Sequence, residues 1–209
     1  MKILKTINEM REVIAGWRKD GASVGLVPTM GGLHEGHISL IRLARARANF
    51  VIATSFVNPT QFAQNEDFDA YPRNASVDQK LFAAADVDLL FVPSVDEIYP
   101  KGHVTRVHVE GLSDLLEGEC RPHFFLGVTT VVSKLLIQTM ADLAIFGEKD
   151  YQQLQIIRRM AQDLDIPTEI VEGPTIREED GLAMSSRNRY LNDIERLSAG
   201  KLYESICDV

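Results

Sequence analysis

The chain has 209 residues, enough for one large domain, or one domain and part of a second, and enough to bury a core without staples. At 45% hydrophobic and 25% charged it has the profile of an ordinary globular chain, and 22 Lys+Arg against 30 Asp+Glu leave a net charge of −8. That acidic balance excludes a general nucleic-acid binder, which needs a basic face to neutralise phosphate, but it leaves room for a local basic pocket that takes a small anion. No stretch approaches the ~18 unbroken apolar residues of a membrane span. Charge interrupts the N-terminal segment MKILKTINEMREV before a signal-peptide core can form, so it reads as an amphipathic start. Cys120 and Cys207 are too few for a disulfide framework or a zinc site. Two free thiols and a cytoplasmic location are the expectation, with no nucleic-acid or membrane partner.

In chain order, Thr6 with Glu9 forms a capping box that opens a helix through Lys19, stopped near Gly21. SVGLV (23–27) is a predicted strand, followed by a Gly-rich turn and a helix through ISLIRLARARA (38–48). FVIATSFV (50–57) is a strand with a nearly continuous apolar run. A polar loop precedes a helix over 75–85 and the strand DLLFVP (88–93). TRVHVEG (105–111) alternates and predicts another strand, whereas LGVTTVVSKLLIQTM (126–140) is too long for one and predicts a helix. LAIFG (143–147) is a strand, YQQLQIIRRMAQDL (151–164) a helix and PTEIVEG (167–173) a strand. Apolar strands joined by helices predict a doubly wound parallel α/β sheet over residues 1–174. A linker, MSSRN and a helix from near Asn192 occupy 175–209. That helix reaches the last residue without a C-cap signal, so the ending reads as cut.

Ligands of an open α/β sheet bind beyond the carboxyl ends of its strands. Four chemically loaded segments follow predicted strands here: PTMGGLHEGH (28–37), NPTQF (58–62), GEKD (147–150) and GPTIRE (173–178) continuing to MSSRN (184–188). In the first, Gly31 and Gly32 let backbone approach a ligand, and His34 and His37 stack where a helix begins. Unpaired N–H groups at that helix start make phosphate the expected guest. The spacing fits neither G-x-G-x-x-G, nor the Lys-bearing P-loop, nor H-E-x-x-H. No Ser or Cys shows the base an activated nucleophile needs; Ser185 and Ser186 lie in a flexible loop. His103, His108 and His123 show no metal spacing, and Glu178, Glu179 and Asp180 read as a solvated linker face.

The His34-Glu35-Gly36-His37 element resembles the first signature of the nucleotidylyltransferase superfamily, a Rossmann-like group that includes class I aminoacyl-tRNA synthetases. MSSR (184–187) is similar to that superfamily's second, phosphate-holding loop. Taken together, PTMGGLHEGH, FVNPTQF, DAYPR, FGEKDYQQ and DGLAMSSRNRYL resemble the pantothenate synthetase (pantoate–β-alanine ligase) family, in order and at continuous spacing over residues 28–191.

The resemblance implies ATP-dependent condensation of pantoate with β-alanine through a pantoyl adenylate, releasing pyrophosphate and then AMP. It implies that Met30, Gly31, Gly32, Leu33, His34, Glu35, Gly36 and His37 form the near wall of the ATP site. His34 and His37 would meet the phosphates, with His37 donating to the transferring one. Lys149 would meet the growing phosphate charge, flanked by Gly147 and Glu148, while Asp150 would either bind the ribose or orient Lys149. Ser185, Ser186 and Arg187 would close over the phosphates, and Met184 and Ile176 would touch the adenosine. The family more often has Val where Ile176 stands. Gln61, Gln153 and Asn58 would hold pantoate, and Gln61 would also face β-alanine. Gln152 and Gln155 would be surface residues, and Tyr71-Pro72-Arg73 matches the family pattern with no role attached.

Magnesium would arrive on ATP, with Asp78 as a candidate outer ligand. The resemblance further implies a homodimer and a C-terminal lid domain, of which this chain would carry only the first part. Two other readings stand beside it: a nucleotidylyltransferase passing AMP to a phosphorylated acceptor, and a truncated nucleotide-binding module without turnover. The first calls for more Lys or Arg beside NPTQF.

Overall fold

Residues 1–208 are described by a computed structural model. In chain order they form β1 (Lys2–Leu4), α1 (Ile7–Lys19), β2 (Val24–Val27), α2 (Glu35–Arg47), β3 (Phe50–Thr54), α3 (Ala75–Ala84), β4 (Leu89–Phe91) and α4 (Val95–Ile98). They continue with α5 (Glu117–Cys120), α6 (Phe124–Thr139), β5 (Leu143–Gly147), α7 (Tyr151–Asp163), β6 (Glu169–Gly173), α8 (Asp193–Ala199) and α9 (Lys201–Cys207). Every residue of β2 and β4 is buried, as strands covered by helices on both faces require. The side-chain period of two then divides each strand between two cores. Leu26, Ile52, Leu89, Phe91, Ala144 and Phe146 face Met10 of α1, Leu136 of α6 and Ile157 of α7. Their strand neighbours Val27, Val51, Ala53, Leu90 and Ile145 face Ile41 and Ala44 of α2 and Phe82 of α3.

The sheet is parallel at every pairing and ordered β1-β4-β3-β2-β5-β6. From β2 the chain winds outward through β3 and β4, then returns to place β5 and β6 on the other side. The switch point is therefore the crevice between the carboxyl ends of β2 and β5. The expected doubly wound α/β class is the observed one, and the Thr6–Glu9 capping box opens α1 as expected.

Four local expectations are corrected. First, residues 105–111 form no strand. The Val107 N–H donates to Thr130 Oγ1 at 3.1 Å and its carbonyl accepts from Thr129 Oγ1 at 2.5 Å, so hydroxyls of α6 take the place of a neighbouring strand. Second, Lys2–Leu4 form an edge strand on β4 that three residues of sequence do not announce. Third, α2 starts earlier than expected because His34 caps it. Fourth, the last helix is interrupted at Gly200, where Asp180 approaches so closely that a Cβ would lie 2.6 Å from its Oδ2. Asp180 lies on the exposed linker face as expected, where it also accepts from Arg196 Nη2 at 3.1 Å.

Candidate active site

A cavity of about 560 Å³ is lined by residues from all four loops. Met30, His34, Gly36 and His37 come from the loop after β2, and Gln61 from the loop after β3. Gly147, Lys149 and Asp150 follow β5, Gln153 opens α7, and Ile176 with Met184, Ser185, Ser186 and Arg187 follow β6. Seven residues expected at the ligand are not part of this lining: Gly31, Gly32, Leu33, Glu35, Asn58, Asp78 and Glu148.

Their positions explain the shape of the wall. Gly31 (φ 83°) and Gly32 (φ 65°) turn the chain in the left-handed region. A Cβ on Gly32 would lie 3.2 Å from Ser186 Oγ and 3.3 Å from the Pro72 carbonyl. The buried Asp78 carboxylate receives the Gly32 N–H at 2.9 Å on Oδ2 and the Leu33 N–H at 3.0 Å on Oδ1. Asp78 thus straps the Gly-rich turn. Leu33 packs in the core below α2, and Glu35 pairs with Arg42 on the outer face of that helix. Glu148 sits in the single turn that leads from β5 into α7.

The two histidines are fixed by backbone donors. His34 Nδ1 accepts from the Gly36 N–H at 3.2 Å, and His37 Nδ1 accepts from the His34 N–H at 3.3 Å. A Cβ at Gly36 would sit 2.9 Å from the His34 ring, so this cap requires glycine. With both Nδ1 atoms accepting, the neutral rings carry their protons on Nε2. The ring centres lie 4.1 Å apart. Burial first, then the charges of Lys149 and Arg189, lower the His34 pKa to about 4. Burial first, then His34, Lys149 and Arg189, lower that of His37 to about 3. Near neutral pH the pair is therefore uncharged and offers two N–H donors. Lys149 Nζ lies 3.0 Å from Asp150 Oδ1, so in this state Asp150 orients Lys149.

Amide groups furnish the opposite end. The buried Gln61 receives Asn58 Nδ2 on its Oε1 at 2.9 Å. Asn58 is held in turn by Tyr99 Oη, which donates to Oδ1 at 2.9 Å, and by the Gly127 carbonyl, which accepts from Nδ2 at 3.1 Å. Asn58 thereby sets which way the Gln61 amide faces. Among the described residues, Gln61 Nε2 and the Gln153 amide have no hydrogen-bond partner, so both are free to meet a ligand.

Sequence reasoning missed several lining groups. Phe125, Val128, Val131, Val132 and Leu135 make one face of α6 the apolar side of the cavity, and periodicity alone does not distinguish such a face from core. Arg121 donates to the Gln61 carbonyl at 3.1 Å and is neutralised by Glu66 and Glu117. Gln152, expected at the surface, donates to the Leu112 and Leu115 carbonyls at 3.0 and 2.7 Å and pins that segment at the mouth.

Met184, Ser185, Ser186 and Arg187 form the wall adjoining the Gly-rich turn. Ser186 Oγ donates to the Gly32 carbonyl at 2.7 Å, tying this loop to the Gly-rich turn. Ser185 Oγ caps the short turn that follows by accepting from the Arg187 N–H at 3.2 Å. Tyr71 is buried beside Ser186, and that burial raises its phenol pKa. Arg73 turns away to the Phe68 and Asp69 carbonyls and acts structurally. Among the described residues, no three His, Cys, Asp or Glu side chains gather as a metal site, and no helix is long and apolar enough to cross a membrane.

A sequence model described as pantoate-beta-alanine ligase matches residues 2–209. The pantothenate synthetase of Caulobacter vibrioides is 59% identical over 197 residues, covering 94% of this chain and 69% of that protein. The crystal structure of pantothenate synthetase from Thermus thermophilus superposes with a TM-score of 0.93 at 50% identity, covering 98% of this chain and 72% of that one. The Francisella tularensis pantoate-beta-alanine ligase, crystallised with beta-gamma ATP and beta-alanine, matches with a TM-score of 0.93 at 41% identity over 98% of this chain and 78% of its own. On these grounds the chain belongs to the pantoate–β-alanine ligase family, enzymes that form a carbon–nitrogen amide bond.

Proposed function

We propose that this chain joins pantoate to β-alanine in two steps, using ATP. A pantoate carboxylate oxygen attacks the α-phosphorus, the bond to the β-phosphate bridging oxygen breaks, and pyrophosphate leaves. The β-alanine amine then attacks the acyl carbon of the adenylate, the acyl C–O bond breaks, and AMP departs as the amine loses a proton. One observation carries the reading: neutral histidine donors and Lys149 share a cavity with the Gln153 amide and the unpaired Nε2 of Gln61.

The division of labour follows from charge. Lys149 and Arg187 suit phosphate oxygens, and the Nε2–H groups of His34 and His37 donate to charge that develops as the α-phosphorus is attacked. Keeping the imidazoles neutral avoids a fixed cation that would hold pyrophosphate in place. Gln61 and Gln153 suit the hydroxyls and carboxylate of pantoate, against the apolar face of α6. Gln61 also faces the incoming β-alanine, and Met184 with Ile176 contact the adenosine. Positioning and charge stabilisation suffice, since the adenylate itself supplies the leaving group and no covalent enzyme intermediate is required.

The donor set fits a magnesium ion carried in by the triphosphate and water rather than one caged by protein ligands. In this reading residues 1–174 bind nucleotide and pantoate, while 175–209 bring the phosphate-closing loop. The family resemblance also supports a homodimer, which sedimentation would test. A phosphorylated acceptor is disfavoured, because Arg121, the cation beside Gln61, already commits Nε, Nη1 and Nη2 to Glu66, Glu117 and the Gln61 carbonyl.

The test is exchange of labelled pyrophosphate into ATP with Mg²⁺ and without β-alanine. Exchange that requires pantoate is expected. Exchange without pantoate, or dependent on a phosphorylated acid instead, would overturn the substrate assignment. ATP binding with no exchange would leave a nucleotide-binding module without turnover.

A further inference from the structure

Arg187 is already engaged by a carboxylate. Its Nε donates to Asp67 Oδ2 and its Nη2 to Asp67 Oδ1, each at 2.9 Å, which is a two-point fork. Its guanidinium carbon lies 5.3 Å from the centre of the Tyr71 ring, part of the cavity wall. Nη1 has no hydrogen-bond partner among the described residues.

Asp67 is anchored independently of Arg187. Tyr190 Oη donates to its Oδ2 at 3.1 Å. The preceding Glu66 accepts from Arg121 Nε at 2.7 Å and from the Ala63 N–H at 3.2 Å. Two consecutive carboxylates therefore tie one segment to both Arg121 and Arg187, which also line the cavity.

We propose that Asp67 is a positioning residue for Arg187: it grips the guanidinium by its Nε–Nη2 edge and leaves Nη1 to meet a nucleotide phosphate. The inference rests on the nucleotide-binding reading of this cavity. A guanidinium has five donors in a fixed plane, so two can be committed to one carboxylate while others serve a second anion. A free arginine samples many rotamers, and a phosphate that captures it must order them; the fork to Asp67 orders them beforehand.

Removing the carboxylate has an opposing effect, because it unmasks the charge of Arg187. The pair is open to solvent, with the Arg187 side chain 47% and Asp67 24% exposed, so water and salt damp the unmasked charge. Orientation is not screened in this way, and it decides the sign.

The experiment is calorimetric titration of ATP with Mg²⁺ into the full chain, Asp67→Asn, Asp67→Ser, Arg187→Ala and the double variant Asp67→Asn/Arg187→Ala, each checked by thermal melting. Both Asp67 variants should weaken ATP by about three- to tenfold and leave pantoate affinity unchanged. Arg187→Ala should weaken ATP at least as much, and the double variant no further, because Asp67 acts only through Arg187. If both Asp67 variants melt early, Tyr190→Phe loosens Asp67 without removing it and should still weaken ATP. Unchanged or tighter ATP binding in a folded Asp67 variant would overturn the inference, as would losses that add in the double variant. Unchanged ATP affinity in Arg187→Ala would instead bring down the nucleotide role of the 184–187 loop, and the inference with it.

Discussion

The turn at 29–34 and the loop at 184–190 meet at the cavity but are secured by different forces. The first is held by buried hydrogen bonds: Asp78 to two N–H groups, and Thr29 Oγ1 to the Thr54 carbonyl at 2.6 Å. The second touches it through one buried hydroxyl, Ser186, and otherwise relies on the solvent-facing Arg187–Asp67 pair and on Arg189, which reaches the Leu33 carbonyl at 3.1 Å. Buried bonds are costly to leave unmade, whereas exposed pairs add little to the stability of the fold. The first wall therefore carries stability, and the second carries mainly the orientation of its side chains.

The sharpest test of that contrast is Asp78→Ala, which strands two buried N–H donors. It should cost about 3 kcal/mol at roughly 1–3 kcal/mol per orphaned group, lowering the melting temperature by about 6–12 °C. A fall no larger than that of Asp67→Asn would erase the difference between the walls. Next comes Lys149→Ala, expected to slow adenylate formation at least tenfold, or about 1.4 kcal/mol of transition-state stabilisation. A normal exchange rate would remove Lys149 from the mechanism. Gln153→Ala should weaken pantoate severalfold, about 1 kcal/mol for a lost hydrogen bond, and leave ATP nearly unchanged. Equal losses for both ligands would contradict the amide pocket.

The smallest effect on rate should come from mild acid. His34 and His37 titrate near pH 4 and 3 in the folded chain against an ordinary 6.5, so they stay neutral down to about pH 5 and should not bend the exchange profile above it. Stability behaves otherwise. The unfolded chain takes up these protons first, so the contribution of the pair is fully present above pH 6.5 and is lost as pH falls toward 4 and below. His37→Gln should flatten the slope of stability against pH between about 6.5 and 4.5; an unchanged slope would mean that the ring is not protected.

What was legible in the chain follows the same contrast between local and distant causes. The capping box at Thr6, the apolar strand runs starting at 23, 50, 88, 143 and 167, and the Gly-rich turn all depend on near neighbours, and each lies where expected. The position of the four loops at one edge follows from parallel winding. What escaped needs partners far away in sequence. Asp78 finds its role only because α3 brings it under a turn more than forty residues earlier. Arg121 becomes a cavity residue through Glu66, and Asn58 is tied to Tyr99 and Gly127, more than forty residues away. The alternation at 105–111 correctly marks Val109 as buried, yet alternation cannot tell a strand from a segment whose backbone is caught by Thr129 and Thr130.

The crevice between β2 and β5 also fixes when the site can come into being. Gly25 pairs with Leu143 and Leu26 with Ala144, so until the chain has been synthesised through β5 one edge of β2 has no neighbour. A nascent chain that has paired β2 with β3 and β3 with β4 carries its Gly-rich turn on an open, apolar strand edge. Such edges recruit other chains. The pairing that creates the binding crevice is thus the same pairing that ends the exposure of this strand during synthesis.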